Sequence, residues 1–163
     1  MVTAAKARTV GYWLLTVVIA NEMAAGSMWD CKQIPFVRSV FDELGYPHYL
    51  LLILGAWKLP CALVMMLPRF PRLKEWAYAG AFFNYSGAAA SHLLSGDAAK
   101  KWIGPLVFGL LTLASWALRP ASRRLPSGSP GEAVRPAAWA ATIGLTIAMV
   151  VLALLTLPKG TNW

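Results

Sequence analysis

Five long apolar stretches, separated by short polar ones, set the rhythm of this chain. They cover approximately residues 10–29, 48–67, 73–94, 102–118 and 137–157. Each is close to the ~20 residues that a helix needs to cross ~30 Å of hydrocarbon. The stretches are apolar on every side rather than striped, unlike the helices of a soluble bundle. Pro68 and Pro120 close the second and the fourth. Between the first two, in IPFVRSVFDELGYP, Val37, Val40, Phe41 and Leu44 recur at helical spacing, with Arg38, Asp42 and Glu43 on the other side. Pro35 suits a first helical turn and Gly45 a C-terminal cap, so a short amphipathic helix lying on the membrane surface is predicted. Residues 119–136, RPASRRLPSGSPGEAVRP, read as a flexible cytoplasmic linker. The predicted fold is an all-α membrane protein. A four-helix transmembrane bundle occupies residues 1–118, the linker follows, and residues 137–163 add a fifth transmembrane helix with a short tail.

Composition supports that reading. Of 163 residues, 58% are hydrophobic and 13% charged, against about 25% charged in an ordinary soluble domain. The net charge of +8 comes from basic residues clustered between the apolar stretches. That pattern sets topology, and nucleic acid is not an expected partner. With the N-terminus in the cytoplasm, nine Lys and Arg residues fall inside and five outside, Lys58 lying within a span. The bias predicts a multi-pass protein of the bacterial inner membrane with its N-terminus cytoplasmic. The first stretch is read as a span and not as a cleaved signal, because Asn21 and Glu22 would interrupt a signal's apolar region. The two cysteines, Cys31 and Cys61, form no CxxC pair and fall at different depths, which argues against a redox disulfide.

The polar residues inside the spans carry the candidate chemistry. At 1.5 Å per residue, Glu22 lies roughly 18 Å and Asn84 roughly 16 Å from the inner edge, and Lys58 roughly 15 Å from the outer edge. These three share one level near the midplane, with Asn21, Tyr85 and Ser86 beside them. A lone charge at that depth costs at least ~2.5 kcal/mol. Glu22 and Lys58 are therefore expected to face each other inside the bundle, directly or through a water. A second polar level, near the outer edge, holds Asp30, His48, Ser91 and His92. Glu75, at the inner edge, is expected to be a solvated interfacial residue. The small residues of the third span, from Gly80 to Ser91, are expected to admit a close neighbouring helix. His48 and His92 are candidates for interfacial anchors or proton carriers. Their shared level alone is a thin basis for a bis-histidine haem, which is not expected, and no metal-ligand motif is present. Most of the eight Trp residues mark span ends, whereas Trp57, beside Lys58, is placed to line a cavity.

The runs YWLLTVVIANEMAAGSMWD, YLLLILGAWKLP and FPRLKEWAYAGAFFNYSGAAASHLLSGD resemble the DoxX-like family of small bacterial membrane proteins, over roughly residues 10–119. The features that carry the resemblance are Glu22 and Asp30, the GxWK of Gly55–Lys58, and PRLKEWAYAGAFF followed by His92. The resemblance implies a four-span core. It also implies roles known in the family, as a membrane subunit of a quinone-linked oxidoreductase or as an assembly factor.

Three functions stay open on the sequence. The first is a membrane subunit of a redox system whose polar intramembrane site binds a lipophilic molecule, a quinone being the leading candidate. Asn21, Trp57, Lys58, Asn84 and Tyr85 would bind it, and Glu22, Asp30 and His92 would move protons. Its partners would be the lipid bilayer, the small molecule and a redox protein. No cofactor motif is evident, and oligomerisation is left open. The second is a self-contained acid–base enzyme, an isomerase, cyclase or hydrolase acting on a hydrophobic substrate. The third is an assembly protein with a structural Glu–Lys pair.

Overall fold

The computed structural model describes residues 2–125 throughout and, beyond them, scattered helical positions between 136 and 151. Every regular element among the described residues is a helix. In chain order these are α1 (Val2–Lys32), α2 (Pro35–Leu44), α3 (Tyr49–Met66), α4 (Pro71–Leu94) and α5 (Ala99–Leu118), followed by a single 3-10 turn, Ala121–Arg123. The chain divides into two units, Met1–Leu125 and Pro126–Trp163, and all of these elements belong to the first. Apart from those scattered positions, the expected fifth span and the linker from residue 126 onward lie outside the described residues.

The short helix α2 forms where its pattern predicts. Pro35 occupies its first turn, and Gly45 ends it in the left-handed region (φ 71°), its N–H returning to the carbonyl of Asp42 while the Tyr46 N–H returns to that of Phe41. Val37 is its buried contact.

Helix α1 packs on α3 and α5, and α4 packs on the same two. The four long helices thus make a four-cornered bundle in which α1 and α4 face each other across the diagonal. The buried face of α1 is Tyr12, Thr16, Ile19, Met23, Ser27 and Asp30, a spacing of three or four residues throughout. Helix α4 answers with Lys74, Ala77, Tyr78, Ala81, Tyr85, Ala89 and His92. Polar groups are thus frequent inside the bundle. Thr16 hydrogen-bonds Ser115 at 2.8 Å and Tyr78 hydrogen-bonds the same hydroxyl at 2.9 Å, joining α1, α4 and α5.

The outside is the reverse. Leu14 on α1, Leu63 on α3, Phe83 on α4 and Leu110 on α5 are each more than half exposed. Helices α3 and α5 are long and apolar enough to cross a membrane. Helices α1 and α4 are also long, but polar residues such as Asn21 and Glu22, or Asn84 and Ser86, interrupt them.

Three local expectations are corrected. Gly80 and Gly87 of α4 face open space and not a neighbouring helix. The close approach is at Gly55 of α3, where an added Cβ would lie 2.6 Å from Cys31 Sγ and 3.0 Å from the Ser27 carbonyl of α1. Glu75 is not simply solvated: it pairs with Arg119 at 2.7 Å and accepts a hydrogen bond from the Trp116 indole at 2.8 Å. Residues 119–125, expected to begin a flexible linker, belong to the first unit, with Arg119 and Arg123 buried.

Candidate functional site

The site is built on one face of α1. Glu22, Gly26 and Asp30 follow at intervals of four, so they stack along that face. Lys58 reaches across from α3. Its ammonium donates to Asp30 Oδ2 at 2.7 Å, in a pair whose side chains are 16% and 6% exposed. Glu22 accepts a hydrogen bond from the Tyr85 hydroxyl, across the bundle diagonal. The Tyr85 ring stacks on Phe108 of α5 at 5.3 Å. Gly26 separates the two pairs. A Cβ there would sit 3.6 Å from Glu22 Oε1 and 3.6 Å from Lys58 Nζ, so the absent side chain lets both groups approach the same notch.

The direct Glu22–Lys58 pair expected from depth is not formed. Depth estimated from rise per residue resolves about one turn, or ~5.4 Å, and a lysine side chain spans about that much. Asp30, two turns away on the same face, takes the ammonium.

Between α3 and α4 runs a groove of about 700 Å³. Its walls are apolar, with Leu54, Trp57, Leu73, Trp76 and Phe83 among them. Its polar side chains are Lys58 and Asn84. Among the described residues, the Asn84 amide has no hydrogen-bond partner, and Lys58 spends one of its three donors on Asp30. The groove is thus an apolar slot of ligand size whose lining includes two side chains with free N–H donors, Lys58 and Asn84.

Of the residues expected to bind a ligand, Trp57, Lys58 and Asn84 line this groove together. Tyr85 lies behind it, bonded to Glu22. Asn21 does not join them: it is exposed, beside a shallower groove between α1 and α3. Of the residues expected to move protons, Glu22 and Asp30 flank the notch, but His92 belongs to another cluster. It hydrogen-bonds Asp97 at 2.7 Å, and Lys101 links Asp97 to Glu43 of α2. His48 engages Asp42 at 2.7 Å through one ring nitrogen, and Arg38 approaches the other at 3.4 Å. No group of three or more His, Cys, Asp and Glu side chains among the described residues is arranged to hold a metal ion. Hydrogen bonding from His92 first, then from Lys101, holds the loop carboxylate Asp97 below its ordinary range.

Sequence reasoning missed Gly26 and Ser27. Ser27 Oγ donates to the Gly55 carbonyl at 2.7 Å and pins α1 to α3 beside the site. The sequence signal was there: Gly26–Ser27 on one span and Gly55 three residues before Lys58 on the next are small residues at a helix crossing.

The model of the DoxX-like family matches residues 14–115, more than half of the chain. No curated protein and no solved structure gives a significant match.

Proposed function

The chain belongs to the DoxX-like family, and from that premise we propose that it is a multi-pass membrane protein that binds a neutral lipophilic molecule of the quinone class. The observation that carries the reading is the groove between α3 and α4, mostly apolar, with Lys58 and the unpartnered amide of Asn84 among its lining side chains. The exposed apolar residues on all four long helices support immersion of the whole bundle in lipid. The excess of basic residues at the end where α1 begins supports a cytoplasmic N-terminus and a bacterial inner-membrane location.

Electrostatics selects a neutral headgroup. Lys58 is already paired with Asp30, and Glu22 is close to the same notch. An anionic head would compete with Asp30 and face Glu22, whereas a carbonyl oxygen accepts from Lys58 and Asn84 without breaking the pair. In this reading Lys58 and Asn84 orient the headgroup. Asp30 holds the ammonium in place, and Glu22 with Tyr85 offers a proton-sharing pair behind it. Electrons come from a redox partner.

The test uses the tryptophans that line the groove, Trp57 and Trp76. Their emission in purified protein should be quenched saturably by a short-chain quinone, and the saturable phase should vanish in Asn84→Leu and Lys58→Met. Equal, non-saturating quenching in all three proteins contradicts the reading.

The Glu22–Tyr85 hydrogen bond favours one second reading, acid–base chemistry on a hydrophobic substrate by the protein alone. It requires turnover without a redox partner, abolished in Glu22→Gln.

A further inference from the structure

The two ends of the bundle differ sharply in charge. Among the described residues, eight cations between Lys6 and Arg124 belong to the end where α1 begins and α3 ends, against one carboxylate, Glu75. The opposite end mixes Asp30, Asp42, Glu43 and Asp97 with its basic residues.

Two of the cations are buried with no carboxylate partner among the described residues. Lys74 is fully buried and donates to the carbonyls of Val64, Met65 and Leu67. Arg123, also buried, donates to Met65, Met66 and Leu67 and to the Tyr12 hydroxyl. Both cap the C-terminus of α3, whose dipole offsets about half a charge. Arg8 and Arg124 cap the end of α5 in the same way, through the carbonyls of Ala117 and Leu118 and of Ala117 and Arg119. Among the described residues of this end, Arg119 alone has a carboxylate partner, Glu75. The positive charge is therefore only partly compensated, and its field emerges at the surface of this end.

At that surface the loop from α3 to α4 presents Arg69 and Arg72, both exposed, on either side of Phe70. Phe70 is 57% exposed and held in the left-handed region (φ 66°) as the residue that starts α4. Leu73 and Trp76 continue the exposed apolar surface one turn further along α4, Trp76 being 77% exposed. An exposed aromatic residue flanked in sequence by two exposed arginines, with exposed apolar residues following it, matches the boundary between phosphates and acyl chains.

We infer that this corner binds the headgroup of an anionic phospholipid in the leaflet facing the basic end. Arg69 and Arg72 clasp the phosphate, and Phe70 inserts beside it at the level of the first acyl carbons. Guanidinium groups pair with phosphate oxygens in two parallel hydrogen bonds, which favours phosphate over other anions. The buried cations behind the loop favour a lipid with net negative charge over a zwitterionic one. The inference rests on the reading of the chain as membrane-embedded, and it is independent of what occupies the groove.

The test is native mass spectrometry of the purified full chain in detergent, titrated with phosphatidylglycerol or phosphatidylcholine of equal chain length. Preferential retention of phosphatidylglycerol is expected. Arg69→Ala with Arg72→Ala should weaken it about 25-fold, at about fivefold per arginine, and Lys100→Ala at the opposite end should leave it unchanged. Equal retention of the two lipids overturns the inference, as does a preference that survives loss of both arginines. Displacement of the lipid by inorganic phosphate alone would also overturn it, by marking a free-phosphate site. Each of these results leaves quinone quenching at Trp57 and Trp76 untouched, so failure here is separable from failure of the groove reading.

Discussion

The Lys58 ammonium sits 2.7 Å from Asp30 and forms no ion pair with Glu22, although both carboxylates flank Gly26 on the same face of α1. One cation among two carboxylates leaves Glu22 to the Tyr85 hydroxyl. The pair is buried on both sides, so removing one partner strands the other away from water. Asp30→Asn or Lys58→Met alone should destabilise the bundle by about 3 kcal/mol. The double variant Asp30→Asn with Lys58→Met should recover most of that loss. Thermal unfolding in one detergent measures all three. Additive losses in the double variant would contradict the pairing.

The Glu22–Tyr85 hydrogen bond can be tested without disturbing packing. Tyr85→Phe keeps the ring stacked on Phe108 and removes only the donor. Leaving Glu22 without that donor should cost about 2 kcal/mol. Glu22→Gln, which keeps a hydrogen-bond acceptor, should cost less than Glu22→Leu. A Tyr85→Phe melting curve superimposable on wild type would contradict the contact.

Two glycines should respond in opposite directions. An alanine methyl at Gly55 meets Cys31 and the backbone of Ser27, so Gly55→Ala should destabilise by about 1–3 kcal/mol through overpacking. Gly80 faces open space in the middle of α4, so Gly80→Ala should stabilise by about 0.5–1 kcal/mol through helix propensity alone. Equal shifts at the two positions in melting experiments would contradict the packing of α1 on α3.

The loop carboxylate predicts a pH effect. Hydrogen bonds from His92 and Lys101 lower the Asp97 pKa in the folded protein. A lowered carboxylate pKa contributes stability that is fully present above the unfolded value, about 3.9, and is lost as pH falls through the folded value. The difference in melting temperature between wild type and Asp97→Asn should therefore shrink as pH falls below about 4. A difference that stays constant or grows as pH falls from about 4 to about 2 would contradict the assignment.

Much of the bundle was legible from hydropathy alone. The expected spans at 48–67 and 73–94 became Tyr49–Met66 and Pro71–Leu94, because Pro68 and Pro71 leave little freedom about where the turn falls. Gly45 and Pro35 delimited α2 correctly for the same kind of local reason. Rise per residue put Glu22, Lys58 and Asn84 at one expected level, but did not give the pairing. Depth along a helix is set by rise per residue, whereas partners are set by helix rotation and side-chain reach. Depth therefore assigned Glu22 to Lys58, whereas the structure pairs Lys58 with Asp30. Helix rotation likewise decided that Ala77, Ala81 and Ala89 of α4 face inward while Gly80 and Gly87 face outward. Lys74 reads as an interfacial cation until the tertiary fold brings the carbonyl end of α3 to it. Asn84, by contrast, was visible as a polar residue inside an apolar stretch, and it does line the groove.

The most direct test of the central claim is to extract wild type and Asn84→Leu from membranes and identify copurifying lipophilic molecules by mass spectrometry, with matched melting curves as a control for folding. Asn84 makes no hydrogen bond among the described residues, so its loss removes a ligand contact without unpairing any group of the bundle. The account predicts a quinone-class molecule in stoichiometric yield with wild type and its depletion from the variant. The same molecules in the same amounts from both proteins would contradict a ligand site in the groove between α3 and α4.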